Sequence, residues 1–290
     1  MGSRIIYYSI ILPIALLPYP LLYLFSNFFF FLLFGLIGYR KKVVFKNIQN
    51  SFPEKTVKEQ QLIMRNFYKH FCDLIVESLK GFVISEKQLK ERFSIVNAEI
   101  ANQYFKAGKD VIFVGGHYNN WEILAQGVSL ELKHQIIGIY KPLSNKYFDG
   151  KMKKSREKKG MLLCPIKETK AFLDKDFGKP KGTIFAIDQS PGNPGKSYWM
   201  QFLNQDTPVL FGAEKYAKEY KSPVIFCTIN KVKRGYYQGV LSLIEATPEE
   251  TLYGEITESN TKALEKDIIE NPQFWLWTHR RWKHKRKVAD

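Results

Sequence analysis

From Ile5 to Tyr39 the chain carries no charged residue, and Arg40-Lys41-Lys42 follow at once. About 20 apolar residues suffice to cross a bilayer. The run is therefore long enough for one tilted or kinked span, or for a span plus an interfacial piece. Pro13, Pro18 and Pro20 are expected to kink or break a helix there. The run is too long for the apolar region of a cleaved signal peptide, and no small-residue cleavage pattern stands out. Residues 1–42 are thus expected to form a retained N-terminal hydrophobic membrane-anchor helix, and residues 43–290 the folded domain. The basic cluster after the run places that domain on the cytoplasmic side.

Residues 43–82 have helical spacing, interrupted by Asn50-Ser51-Phe52-Pro53-Glu54. That stretch is a turn and helix-start signal, with Ser51 or Thr56 as the cap. Leu62, Ile63, Phe67, Phe71, Leu74 and Ile75 then mark one face of a helix over Val57–Leu79. Beyond it, short apolar runs alternate with amphipathic ones. Val111–Val114, Ile136–Tyr140, Thr183–Ile187, Val224–Ile229 and Tyr237–Ile244 read as strands. Ile123–Leu132, Asn145–Lys159, Thr169–Asp174, Gly212–Tyr220 and Glu258–Glu270 read as helices. This alternation predicts an α/β fold, a mixed sheet flanked by helices.

Charge changes the picture of partners. The chain has 290 residues, with 44 Lys and Arg against 28 Asp and Glu, a net charge of +16. Such an excess calls for an anionic partner. With an anchor present, anionic membrane lipids come first and nucleic acid is not expected. Cys72, Cys164 and Cys227 are odd in number and far apart. They suggest neither a disulfide framework nor a zinc site, and fit a reducing compartment. The five histidines form no metal-ligand cluster, and the nucleophile-elbow, phosphate-loop, dinucleotide and zinc-protease motifs are missing. No metal and no cofactor are expected.

The candidate chemistry lies in Gly115-Gly-His-Tyr-Asn-Asn-Trp-Glu122, directly after the strand Val111–Val114. Residues five apart on a helix point about 140° from each other. His117 is therefore expected in the strand-to-helix turn. Asn119 or Asn120 would cap the helix, and Glu122 would lie in its first turn, where the helix dipole favours a carboxylate. Gly115 and Gly116 would allow a sharp turn and close approach of a substrate. If the chain folds back so that Glu122 meets the imidazole, one ring nitrogen is fixed and the other becomes a better base. The same residues also fit a plain helix cap with a satisfied polar pair.

An H-x-x-x-x-[D/E] box after a strand, with an N-terminal anchor, resembles the glycerolipid acyltransferase superfamily. The flanking residues narrow it: GHYNNWE is similar to the box of the lipid A biosynthesis (lauroyl/myristoyl) acyltransferases. Four further segments agree in order: Lys46–Pro53, Tyr140-Lys-Pro142 followed by Asn145 and Arg156, Ala186-Ile-Asp-Gln189, and Asn271–Lys283 with its closing HRRWK. The resemblance covers nearly the whole chain. It implies acyl transfer from an acyl thioester, that of acyl carrier protein, to a lipid hydroxyl, that of a lipid A precursor. It implies His117 as general base with Glu122 as orienting carboxylate, and Asn120, Arg156, Asp188, Gln189 and Lys141 as substrate-binding positions. Lys141 stands where the family has Arg, and Lys cannot form the two-pronged phosphate contact of Arg.

Two basic clusters then suggest the acidic donor or lipid phosphates: Lys151–Lys159, and Arg280–Lys287 with Trp282 interleaved. Trp275, Trp277 and Trp282 read equally as core, interfacial anchors or site residues. A lysophospholipid, amino-acid lipid or pigment hydroxyl is the alternative acceptor. A membrane-tethered nucleic-acid-binding protein is the remote one.

Overall fold

The computed structural model describes residues 2–286. Lys287, the last basic residue of the tail cluster, lies outside the described residues. In chain order the strands are β1 Phe93–Ile95, β2 Val111–Gly115, β3 Gln135–Tyr140, β4 Leu162–Pro165, β5 Lys181–Ala186, β6 Tyr198–Phe202, β7 Gln205–Val209, β8 Val224–Lys233 and β9 Tyr236–Glu245. Seven make one mixed sheet in the order β1-β9-β8-β2-β5-β3-β4. Only β8 and β9 pair antiparallel; the other neighbours run parallel. β6 and β7 form a separate hairpin. Its turn residues Leu203 and Asn204 both have positive φ, which matches strand twist in a two-residue hairpin.

The α/β expectation holds, with helices on both faces. Along β2, Val111 and Phe113 join a core with Leu89, Phe93, Val128 and Ile136. Ile112 and Val114 join the opposite core with Phe67, Tyr68, Leu264, Trp275 and Trp277. A strand covered on both faces has no polar side to show, so it reads as an unbroken apolar run. The five expected strands all form, four of them within two residues of their expected ends; β8 runs four residues past the expected Ile229, to Lys233. β1, β4, β6 and β7 were not expected: β1 has three residues, β4 has four, and β6 and β7 lack a clear two-residue alternation.

The helix Val57–Gly81 is opened by Thr56, whose hydroxyl accepts from the Glu59 amide while the Glu59 carboxylate returns to the Thr56 amide. Ser51 is instead buried at the end of the preceding helix, Lys41–Ser51. The helix is long, and one buried stripe is polar: His70, Asp73, Glu77 and Lys80. These positions are three or four apart, so they stack on one face.

That face meets the N-terminal segment. Gly2–Leu16 and Tyr19–Leu36 are helical, and the second is long and apolar enough to cross a membrane. Its 18 residues span about 27 Å. The helical run breaks at Leu17–Pro18, as expected: Leu17 has a ψ of 146°, Pro18 takes the cap of the second helix and Pro20 sits in its first turn, where no amide is needed. Pro13 follows a wider π-turn over Tyr7–Ile11, as expected where a ring displaces the preceding carbonyl. One side of this segment lies along Val57–Gly81. Lys80 Nζ donates to the Leu17 carbonyl at 2.9 Å, Tyr23 Oη to Glu77 at 2.8 Å, and Ser26 Oγ to Asp73 at 2.6 Å. The other side leaves Leu21, Leu24, Phe25, Phe28, Phe31 and Leu36 exposed.

Candidate active site

β2 and β5 are parallel neighbours, with Gly115 paired to Ala186. Residues just past their carboxyl ends therefore emerge together, which is where open α/β sheets place ligands. His117 leaves β2 two residues after Gly115, and Asp188 leaves β5 two residues after Ala186. Ile187 N donates to the Gly115 carbonyl at 3.0 Å and holds the two ends in step.

The imidazole meets Asp188. His117 Nδ1 lies 2.7 Å from Asp188 Oδ1. The other carboxylate oxygen accepts from the His117 backbone amide and from Trp275 Nε1, both at 2.9 Å. Glu122, the expected orienting carboxylate, is turned away and accepts from Arg156 Nη2 at 2.7 Å. The expected His117–Glu122 pair is thus corrected to His117–Asp188 and Glu122–Arg156. The reason is topological. Glu122 is nearer in sequence, but it rises with its helix Trp121–Glu131, whereas Asp188 arrives from the adjacent strand.

Charge follows geometry. Burial opposes ionisation of Asp188, but the His117 charge and three hydrogen bonds outweigh it and hold the carboxyl down at about 2. For His117, burial pushes the imidazole down; the charge and hydrogen bond of Asp188, with Glu122 adding and Arg156 opposing, carry it above its ordinary value. With Asp188 accepting from Nδ1–H, Nε2 carries the lone pair. Gln189 Nε2 lies 3.2 Å from it, and the ring is partly exposed, 21% for the side chain. Trp121 packs edge-on to the imidazole at 5.1 Å.

The turn itself is held from three sides. Asn120 is the cap, its Oδ1 accepting from the Ile123 amide at 2.9 Å. Asn119 has a left-handed backbone with φ of 54° and donates to the Ile229 carbonyl at 3.0 Å. The 274–276 segment straps the turn: Asn119 N donates to the Phe274 carbonyl and Leu276 N to the His117 carbonyl. Gly116 packs closely against Leu264: a Cβ there would lie 2.7 Å from both of its methyl carbons.

The remaining expected residues separate by position. Asp188 and Asn120 are buried, at 4% and 1% exposure, with their polar atoms already engaged by the protein. They orient the turn. Gln189 faces the free imidazole nitrogen, and Arg156 lies beside it through Glu122. Lys141 is exposed just past β3, with no hydrogen bond or ion pair to another described residue. The sequence does not single out His279, and Trp275 reads equally as core, interfacial anchor or site residue. Trp275 is both core and the second clamp on Asp188. His279 is held below its ordinary value by burial, and its Nε2 accepts from the Ser190 amide at 3.0 Å, pinning the loop after Gln189. The signal was the spacing of the closing signature, which brings Trp275 and His279 to one side of the turn.

The basic clusters also divide. In the first, Arg156 is in the site, Lys159 is buried against the Ile84 carbonyl, Lys151 sits over Tyr7, and Lys153 pairs with Glu157. Lys154 and Lys158 stay exposed. In the second, Arg281 is fully buried, and its Nε and Nη1 have no partner among the described residues. Lys283, Lys285 and Arg286 are exposed. No group of three or more His, Cys, Asp or Glu side chains able to hold a metal occurs among the described residues.

The family model of bacterial lipid A biosynthesis acyltransferases matches residues 3–284. Among similar proteins, the lipid A biosynthesis palmitoleoyltransferase of Escherichia coli (strain K12) is 22% identical over 273 residues, 92% of this chain and 86% of that one. The lauroyltransferase of the same organism is 21% identical over 269 residues, 92% and 87% of the two chains. A lipid A biosynthesis acyltransferase of Haemophilus influenzae is 23% identical over 277 residues, 93% and 86%.

Proposed function

The chain belongs to the bacterial lipid A biosynthesis acyltransferase family, and we propose that it moves a fatty acyl group from the thioester of acyl carrier protein to a hydroxyl of a lipid A precursor. The observation that carries the catalytic reading is the His117–Asp188 pair at 2.7 Å, which leaves Nε2 outward at the end of β2. A hydroxyl of the acceptor gives its proton to Nε2 as its oxygen attacks the thioester carbonyl. The carbon–sulfur bond then breaks, and the proton passes from His117 to the leaving thiolate. General-base help of this kind is worth about 10²–10⁴-fold. The negative charge that develops on the carbonyl oxygen is met by Arg156, fixed by Glu122, and by the Gln189 amide.

The N-terminal helices seat the enzyme at the inner membrane, with the exposed Leu and Phe side chains in lipid and Arg40-Lys41-Lys42 on the cytoplasmic side. Exposed Lys154, Lys158, Lys283, Lys285 and Arg286 draw the acidic carrier or the anionic headgroups. Mass spectrometry of membrane lipids from cells with and without the gene tests the acceptor. Loss of one acyl chain from lipid A is the expected result. An unchanged lipid A beside an altered phospholipid, amino-acid lipid or pigment would overturn it.

A further inference from the structure

The reading of His117 as base leaves the buried carboxyl of Glu77 without a part in the chemistry. Glu77 lies on the polar stripe of Val57–Gly81, at the midpoint between the N-terminal helix and the catalytic turn. Its carboxylate accepts three hydrogen bonds. Tyr23 Oη donates to Oε1 at 2.8 Å; Tyr237 Oη and Asn120 Nδ2 donate to Oε2 at 2.7 and 2.5 Å. Three donors fit a group that only accepts. Tyr23 belongs to the helix Tyr19–Leu36, Tyr237 to β9, and Asn120 to the turn after β2.

Asn120 passes the constraint on. Its Nδ2 is tied to Glu77, and its Oδ1 caps the helix Trp121–Glu131 at Ile123 N. That helix starts with Trp121, against the His117 ring, and Glu122, which holds Arg156. A displacement of Asn120 thus moves both the wall of the imidazole and the anchor of Arg156. On the other side, the Tyr23 hydroxyl is packed against Gly235, where a Cβ would lie 2.1 Å away. The helix that carries Tyr23 is further fixed to the same stripe by Ser26 on Asp73 and by Lys80 on the Leu17 carbonyl. Asp73 is itself ion-paired to Arg234 of the β8–β9 turn at 2.5 Å and to Lys231 at 3.5 Å. A buried, fully engaged carboxylate is expensive to keep in a fold. Packing alone would be served by an apolar residue, so the three-way contact calls for another account.

We propose that Glu77 is a positioning residue that couples the membrane-seated helix to the catalytic turn, through Tyr23 on one side and Asn120 on the other. Seating of Tyr19–Leu36 in lipid fixes Tyr23. Glu77 then holds Asn120, and the cap keeps His117 and Arg156 in register with a substrate that arrives from the same membrane. The inference rests on His117 being the base.

The test uses full-length protein in phosphatidylethanolamine–phosphatidylglycerol vesicles. The donor is lauroyl-loaded acyl carrier protein, and the acceptor is lipid extracted from cells lacking the gene. Glu77→Gln is expected to lower kcat about 10- to 100-fold with little change in KM, because misplacement without loss of binding acts on the chemical step. Asn120→Ser should do the same, and the double variant should be no worse than the more severe single one. Tyr23→Phe and Tyr237→Phe remove single hydroxyls, so they keep the test open if Glu77→Gln does not fold; Tyr23→Phe should lower kcat severalfold with vesicle binding intact. Val128→Ala, a core truncation, supplies a comparison at equal loss of thermal stability. The proposal is overturned if Glu77→Gln keeps kcat within about twofold of wild type. It is equally overturned if the losses of Glu77→Gln and Asn120→Ser multiply, or if Val128→Ala costs as much kcat. His117→Ala in the same assay separates the two readings. Full transfer by that variant sinks the base itself, whereas an inactive His117→Ala beside a normal Glu77→Gln sinks only the coupling.

Discussion

The proposed role of His117 as base rests on what lies behind it. Asp188 sets its tautomer and raises it above the ordinary histidine value of 6.5. Transfer requires the neutral ring, so kcat/KM is predicted to rise with pH and to inflect above 6.5 in a pH profile. Asp188→Asn removes the charge that raises the ring. The inflection should move down, while kcat falls at least about 10²-fold because the tautomer is no longer held. A profile unmoved by this substitution would contradict the pairing. Trp275→Phe removes one donor to Asp188 and should cost about 1–3 kcal/mol of stability by thermal unfolding, with a smaller kinetic loss than Asp188→Asn. The pair also couples stability to pH. Asp188 ionises at about 2 instead of 3.8. Its contribution is present above 3.8 and is lost as pH falls through 2. The raised His117 contributes below 6.5 and loses that contribution as pH rises through its folded value.

At the scale of elements, much was legible because periodicity carries burial. β2 reads as Val-Ile-Phe-Val because both its faces are covered, and Asn50–Glu54 with Thr56 announces a helix start. The partner of His117 was not legible. Spacing along the chain pointed to Glu122, and only the parallel pairing of β2 with β5 brings Asp188 to the same edge. The polar stripe His70, Asp73, Glu77 and Lys80 escaped notice for a similar reason. On one helix it looks like a solvated face, and it becomes buried only when the N-terminal helix lies over it. Short strands such as β1 carry too few residues to show a period. Gly116 gives an element-scale prediction. Gly116→Ala should destabilise by about 1–3 kcal/mol through overpacking, and Leu264→Val in the same chain should recover part of the loss in thermal unfolding. No recovery would show that the turn, not Leu264, demands glycine.

For the whole molecule, the N-terminal segment and the α/β domain are joined by buried polar contacts rather than by a loose tether. Deleting residues 2–36 would bare Asp73, Glu77 and the apolar flank of Val57–Gly81. The truncated chain is expected to aggregate on detergent removal in size-exclusion chromatography; a soluble, active fragment would contradict the joint. The most direct test of the central claim is the initial rate of acyl transfer from lauroyl-acyl carrier protein to lipid A precursor by His117→Ala, against wild type in the same vesicles. The account predicts a loss of at least about 10²-fold in a protein that remains folded by thermal unfolding, with some loss of stability because Asp188 loses its partner. A rate within about threefold of wild type would contradict it.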